Sequence, residues 1–376
     1  MAGIYIHIPF CKQLCHYCDF YKSLEDNHRS ELLDSLGQEM ELQRDYFEGE
    51  EVETIYIGGG TPTILSVEEI NSLIGKISTN FQLTKENEIT IEANPDDLTR
   101  EYLEKLAKTK VNRISIGIQS LSAKELVLLN RRHTVKQAID SVTNSKKAGF
   151  TNISLDLMYG IPGSLIEQWE RNIDQVLAMD VQHLSCYHLS IEPGTKLALF
   201  VKNGKIKPPE EEESIDQFRI LAEKLDQAGF LHYEISNFCK NSYFSKHNTN
   251  YWKQIKYLGI GPSAHSFNGR SRQWNIADNK KYIETIKKNK VPFKKEIIDQ
   301  RKKYNEYILT ALRTMWGIDL KYIEETFSKE AHDYCINLSE RLLEYGMLKK
   351  KGENLVLTKQ GIFISDNIIT ELMMND

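Results

Sequence analysis

Short β-rich runs alternate with longer amphipathic stretches through the first half of the chain. Helical segments are predicted where apolar residues recur at a spacing of three and four, over residues 28–47, 66–79, 99–109, 134–148 and 164–179. Strands are predicted at residues 3–9, 54–58, 88–92, 113–118, 152–157 and 183–191. Repeated strand–helix–strand units predict a curved parallel sheet with right-handed crossovers and helices outside. Six units form a partial (β/α)6 barrel, fewer than the usual eight.

The second half of the chain has a different pattern. A helix is predicted at residues 214–229, and two further strands at 232–237 and 257–265 would extend the sheet. From about residue 300, short amphipathic helices surround a hairpin at 354–361, which resembles a winged-helix module. We therefore expect an α/β protein in three parts, at residues 1–200, 201–300 and 301–376.

Composition narrows the class of protein. With 376 residues, 40% hydrophobic and 27% charged, the chain can bury a large core, and its net charge of -5 offers no reason to expect a nucleic-acid partner. The winged-helix-like segment holds basic and acidic residues in nearly equal numbers, which favours a lid or interaction role over DNA binding. No long apolar run predicts a membrane span, and Cys186, Cys239 and Cys335 are scattered. We expect a cytoplasmic protein with reduced thiols.

Three cysteines directly follow the first predicted strand. Cys11, Cys15 and Cys18 form a cluster that is one ligand short of four. An iron–sulfur cube held by three thiolates keeps one iron open. Zinc is an alternative, with His7 or His16 as the fourth ligand, although no second ligand pair of the usual spacing follows. Unrelated thiols are the remaining interpretation.

Polar and glycine residues follow the other predicted strands. The turn 58–60 with Thr61 follows the second strand, and Glu92, Gln119 and Asp156 end the third, fourth and fifth. Each has an ordinary explanation, as a tight turn, a helix cap or a loop residue, and Arg131 could be a solvated helix end. However, the carboxyl ends of parallel strands meet at one face, where barrel active sites are built. Their joint placement predicts one site opposite the cysteines.

These motifs together resemble a known family. The C-x3-C-x2-C loop after the first strand, the stretches 58–63 (GGGTPT), 117–120 (GIQS) and 156–163 (DLMYGIPG) are similar to those of the radical S-adenosylmethionine (SAM) superfamily. Within it, the chain most resembles the HemW-type heme chaperones, relatives of oxygen-independent coproporphyrinogen III oxidase. The resemblance extends over essentially the whole chain.

The resemblance implies a set of cofactor contacts. Cys11, Cys15 and Cys18 would hold a [4Fe-4S] cluster whose open iron binds the amino and carboxylate groups of SAM. Further contacts to one or two SAM molecules would come from Tyr5, Gly59, Gly60, Thr61, Glu92, Gln119, Arg131 and Asp156.

Two departures from the oxidase pattern favour the chaperone branch. The oxidases carry another cysteine where this chain has Phe20, and they have an N-terminal extension before the cysteine loop. In addition, residues 247–252 (HNTNYW) match the chaperone signature associated with heme, with His247 as an axial ligand or a packed core histidine and Cys239 as a weaker candidate. The resemblance thus implies heme delivery to an acceptor protein, and leaves room for a homodimer. The alternative is a radical SAM oxidoreductase acting on a porphyrinogen.

Overall fold

A computed structural model describes residues 1–25, 27–240 and 243–374. Its strands are β1 (Ala2–Ile8), β2 (Val52–Gly59), β3 (Leu83–Ala93), β4 (Arg113–Gln119), β5 (Ile153–Tyr159), β6 (His183–His188), β7 (Leu231–Glu234), β8 (Asn237–Cys239), β9 (Tyr257–Ile260), β10 (His265–Phe267), β11 (Ser271–Asn275), β12 (Phe293–Ile297), β13 (Ile318–Asp319), β14 (Leu348–Lys351) and β15 (Asn354–Leu357). Its helices are α1 (Arg29–Leu42), α2 (Val67–Asn80), α3 (Arg100–Leu106), α4 (Ala123–Leu128), α5 (Val135–Lys147), α6 (Ile166–Ala178), α7 (Lys196–Lys202), α8 (Glu211–Gln227), α9 (Lys246–Trp252), α10 (Asn279–Ile286), α11 (Gln300–Leu312), α12 (Leu320–Thr326), α13 (Lys329–Glu344) and α14 (Ser365–Leu372).

Strands β1 to β6 lie side by side in chain order, and every neighbouring pair among them is parallel. The aligned residues Ile4, Ile55 and Ile89 are fully buried, as expected for strands covered on both faces. The α/β prediction is therefore confirmed. Both edges of this parallel unit continue into further strands, so the described strands form an open mixed sheet of twelve rather than a closed barrel.

The sheet extensions differ from the prediction in their connections. The predicted strand 257–265 is wrong as one element, because β9 runs parallel to β1 and the chain then turns through Gly261 and Ser263, at φ 107° and 63°, into antiparallel β10. The predicted strand 232–237 is likewise a β7–β8 hairpin. β11 and β12, which complete that edge, were not predicted because their polar alternation gives little signal. β6 ends at His188, three residues early.

The C-terminal segment packs around a hydrophobic cluster of its own. Tyr304, Ile308 and Leu312 of α11 meet Cys335 of α13 and Leu372 of α14 in its centre. Beside these helices lies a three-stranded sheet in the order β13-β15-β14. The predicted hairpin 354–361 is shifted, since its strands are β14 and β15, but the helical module with a small sheet is present. No helix in the described ranges is both long and apolar enough to cross a bilayer.

Candidate functional site

The carboxyl ends of the parallel strands surround a cavity of about 470 Å³, a volume typical of small-molecule sites. It is reached by the cysteine loop after β1 and by the ends of β2 to β6. The structure brings together here all but two of the site residues predicted from sequence, namely Cys11, Cys15, Cys18, Gly59, Gly60, Thr61, Glu92, Gln119, Arg131 and Asp156.

The cysteine loop is held by the segment that follows α4. Gln13 Nε2 donates to the Asn130 carbonyl at 2.9 Å, and Asn130 Nδ2 donates back to the Leu14 carbonyl at 2.6 Å. The backbone N–H of His16 donates to the Leu129 carbonyl at 3.1 Å. These reciprocal bonds fix the cysteine loop to the segment that follows α4.

The three thiols are half-buried and differ in their partners. Thr61 Oγ1 lies 3.7 Å from Cys11 Sγ, and Arg131 Nη1 lies 3.2 Å from Cys15 Sγ. Burial raises the pKa of the Cys11 and Cys18 thiols, an effect that Lys22 opposes by its positive charge. Because metal ligands must be thiolates, cluster binding would release protons here.

The two histidines that could complete a zinc site lie outside this cavity. His16 Nδ1 bonds the Leu128 carbonyl at 2.8 Å, and the ring packs against Phe200. His7 bonds the Tyr5 hydroxyl and the Tyr21 carbonyl, each at 3.0 Å. Among residues 1–25, 27–240 and 243–374, no group of three His, Cys, Asp or Glu side chains converges as the ligands of one metal ion. Thiolates that bind separate irons of a cube stand farther apart than such ligands.

A pair of carboxylates forms the opposite wall. Glu92 accepts hydrogen bonds from the Tyr56 hydroxyl at 2.9 Å and from the Gly59 N–H at 3.0 Å. Asp156 accepts one from Ser115 Oγ at 3.2 Å. Burial, with a contribution from the Asp156 charge, raises the pKa of Glu92 to about 7, and burial also raises the pKa of Asp156. Such a pair is suited to a ligand that brings a positive charge or hydroxyl donors.

Arg131 connects the cysteine loop to β4. Its guanidinium donates to the Gly117 carbonyl at 2.7 Å and to the Tyr17 hydroxyl at 3.3 Å, and also to Asn94 Oδ1. Two polar atoms at this point, Arg131 Nε and Gln119 Oε1, are buried without a hydrogen-bond partner among the described residues. Buried polar atoms of native proteins are usually paired, so a bound ligand is a natural partner for them.

The glycine turn brings backbone against the cysteine strand. Gly59 has φ 110°, and a Cβ there would lie 2.7 Å from the His7 ring. A Cβ on Gly60 would lie 2.6 Å from the Phe10 carbonyl oxygen. Side chains at these positions would therefore displace the segment that carries Cys11.

Two predicted residues lie elsewhere. Tyr5 lines a neighbouring cavity, and its ring lies beside that of Tyr56 of this site, with 6.2 Å between the ring centroids. His247 is buried below the sheet, where its nitrogens bond Thr54 Oγ1 at 2.8 Å and the Tyr251 hydroxyl at 2.9 Å. Tyr56 also lines the cavity and was not predicted from the sequence, although a tyrosine between two isoleucines of β2 stands out there.

Comparisons with known proteins identify the family and the fold of this chain. The family described as the radical SAM superfamily matches residues 5–176, and the HemN C-terminal domain matches residues 298–364. The fold is similar to that of coproporphyrinogen III oxidase from Escherichia coli, with a TM-score of 0.85 and 23% identity, covering 99% of this chain and 90% of that one. The parallel strands and the three-cysteine loop thus define a radical SAM protein.

Curated relatives narrow the family. Heme chaperone HemW of Bacillus subtilis is 34% identical over 371 residues, which is 98% of each chain. Heme chaperone HemW of Mycobacterium tuberculosis is 31% identical and covers 99% of this chain and 94% of its own. The chain belongs to the heme chaperone HemW family of radical SAM proteins.

Proposed function

We propose that this protein binds heme and transfers it to an acceptor protein, and that it carries a [4Fe-4S] cluster with SAM at the open iron. The observation that carries the cofactor proposal is the cavity itself, where three thiols on one loop face two orphaned polar atoms and a carboxylate pair. The heme proposal rests on the relatives, whose names state that they are heme chaperones.

The residues of the cavity fit these cofactors. Cys11, Cys15 and Cys18 would hold the cluster, while Glu92 and Asp156 would face the amino group and hydroxyls of SAM. When bound, such a cluster supplies one electron to the sulfonium of SAM.

Six further residues would complete the SAM site. Gln119 Oε1 and Arg131 Nε would gain the partners that they lack, and the glycine turn would offer close backbone contact. Tyr5 would act on this cavity through Tyr56, whose ring lies beside its own. The turn residues concerned are Gly59, Gly60 and Thr61.

The test is anaerobic reconstitution followed by heme titration and a porphyrinogen assay on the same sample. We expect four irons, one heme per chain by the Soret band, and no conversion of coproporphyrinogen III. Cys15→Ala should lose the cluster, whereas Cys335→Ala, in the core of the C-terminal module, should keep it. Heme passed to an apo-cytochrome would support delivery. Porphyrinogen turnover without heme binding would instead establish a radical SAM oxidoreductase.

A further inference from the structure

A second cavity of about 530 Å³ lies beside the first, with Phe20 of the cysteine loop on the border of both. It is enclosed by β1, β9, β10, β11, α9 and α11. Its walls are mainly aromatic, and they include Tyr5, Tyr21, Tyr251, Trp252, Tyr257 and Phe267. Flat aromatic walls of this kind suit a flat aromatic ligand.

Three imidazoles lie in or next to this cavity, but only one is free to bind metal. Both nitrogens of His7 and both nitrogens of His247 bond protein groups at 2.8–3.0 Å. His265 is exposed to the cavity, and its ring nitrogens have no hydrogen-bond partner within the part of the chain that the structure describes. Its only ring contact there is the stacked Trp274, with centroids 6.1 Å apart.

The position of His265 is fixed by its strand. It begins β10, and its backbone lies so close to Gly259 of β9 that a Cβ on this glycine would sit 2.1 Å from the His265 carbonyl oxygen. Ser266 Oγ also accepts the Gly259 N–H at 2.9 Å. A side chain that ligates a metal is positioned more accurately on such a strand than on a loop.

A cation lies at the same wall. Arg272 of β11 sits over the Phe267 ring, 6.0 Å from its centroid, and donates to Glu306 of α11 at 3.1 Å. The Tyr257 hydroxyl also lies beside Arg272, whose side chain is 35% exposed and whose guanidinium carries five N–H donors, more than these two partners use. A guanidinium with free donors is suited to a carboxylate.

We propose that this second cavity is the heme site, and that His265 supplies the axial nitrogen while Arg272 pairs with a propionate. The proposal rests on the proposed function. In the same arrangement, the stretch 247–252 contributes walls through Tyr251 and Trp252, whereas His247 has a structural role.

The first experiment compares heme titrations of the wild type, His265→Ala and His247→Ala, with His332→Ala on the remote helix α13 as the control. His265→Ala should lose the histidine-ligated Soret and visible spectrum and weaken binding roughly tenfold or more, since losing even a group that supports a metal ligand costs about that much. Added imidazole should restore the spectrum. His247→Ala and His332→Ala should keep the wild-type heme spectrum. Circular dichroism and urea unfolding midpoints of all three variants would separate a loss of heme ligation from a loss of folding.

The second experiment compares heme with heme dimethyl ester, which lacks free carboxylates. Arg272→Gln should weaken heme binding roughly tenfold, as expected for one lost hydrogen bond between charged groups, and leave ester binding unchanged. If the wild type binds no heme, the proposed function fails. If the wild type binds heme while His265→Ala keeps its spectrum, or if only His247→Ala loses it, the function stands and this site is overturned.

Discussion

Arg131→Ala is the most informative single change, because one side chain connects the cysteine loop, β3 and β4. The guanidinium contacts Cys15 Sγ at 3.2 Å, the Tyr17 hydroxyl at 3.3 Å and the Gly117 carbonyl at 2.7 Å, and it also bonds Asn94. Alanine would leave these acceptors without a donor in a partly water-excluded site.

The size of the effect follows from these contacts. Hydrogen bonds to a charged group contribute about 1.5–3 kcal/mol each, and the Gly117 and Asn94 oxygens are the two best-placed acceptors. The variant no longer has the cost of removing the guanidinium from water, which offsets part of the lost hydrogen-bond energy. We expect a loss of about 3 kcal/mol, which for a chain of 376 residues lowers Tm by about 4 °C.

The assay is thermal unfolding of the cluster-free protein, followed by iron content after reconstitution. Arg100→Ala is the control, since Arg100 is exposed on α3 and forms a surface ion pair with Glu104 at 2.7 Å. Such a surface pair should have no measurable effect. A Tm for Arg131→Ala within a degree of the control, with full iron content, would refute the idea that Arg131 holds the loop.

Three more predictions concern residues around the two cavities. Because burial raises the pKa of Glu92 to about 7, the cluster-free protein should lose up to about 3 kcal/mol of stability as pH rises from 4.5 to 7. Glu92→Gln should reduce this dependence of the unfolding free energy on pH, as measured by urea titrations. An unchanged pH dependence in the variant would exclude Glu92 as its source. Gly60→Ala should lower both Tm and the iron content after reconstitution, since its Cβ would lie 2.6 Å from a backbone oxygen. Gly75→Ala, on the open face of α2, should instead stabilise the protein by about 0.5–1 kcal/mol. Equal effects of the two substitutions would contradict the steric argument. Thr54→Val should destabilise the folded protein by about 1–3 kcal/mol by leaving His247 Nδ1 unpaired, but should not alter the heme spectrum. A spectral change would instead indicate that His247 is a heme ligand.

The sequence by itself determined the parallel sheet and most of the cavity. Apolar periodicity located the six strands, and Glu92 and Gln119 stood at or next to their ends, while Asp156 lies in the middle of β5, which continues two residues beyond the predicted end. One general rule then sufficed, because the carboxyl ends of adjacent parallel strands must meet at one edge. Local pattern and topology together therefore gathered these residues without any knowledge of side-chain contacts.

Only the tertiary structure decided which side chains face which cavity. The family resemblance implied Tyr5 and His247 as cofactor contacts, yet one lines the second cavity and the other is buried with both nitrogens bonded. His265, for which the sequence left a core role and a functional role equally open, reaches the second cavity because β9 pairs with β1, joining Gly3 to Tyr257. Alternation along a strand defines two faces, but what covers each face depends on segments some 250 residues away. Such long-range pairing leaves no periodic trace in the sequence.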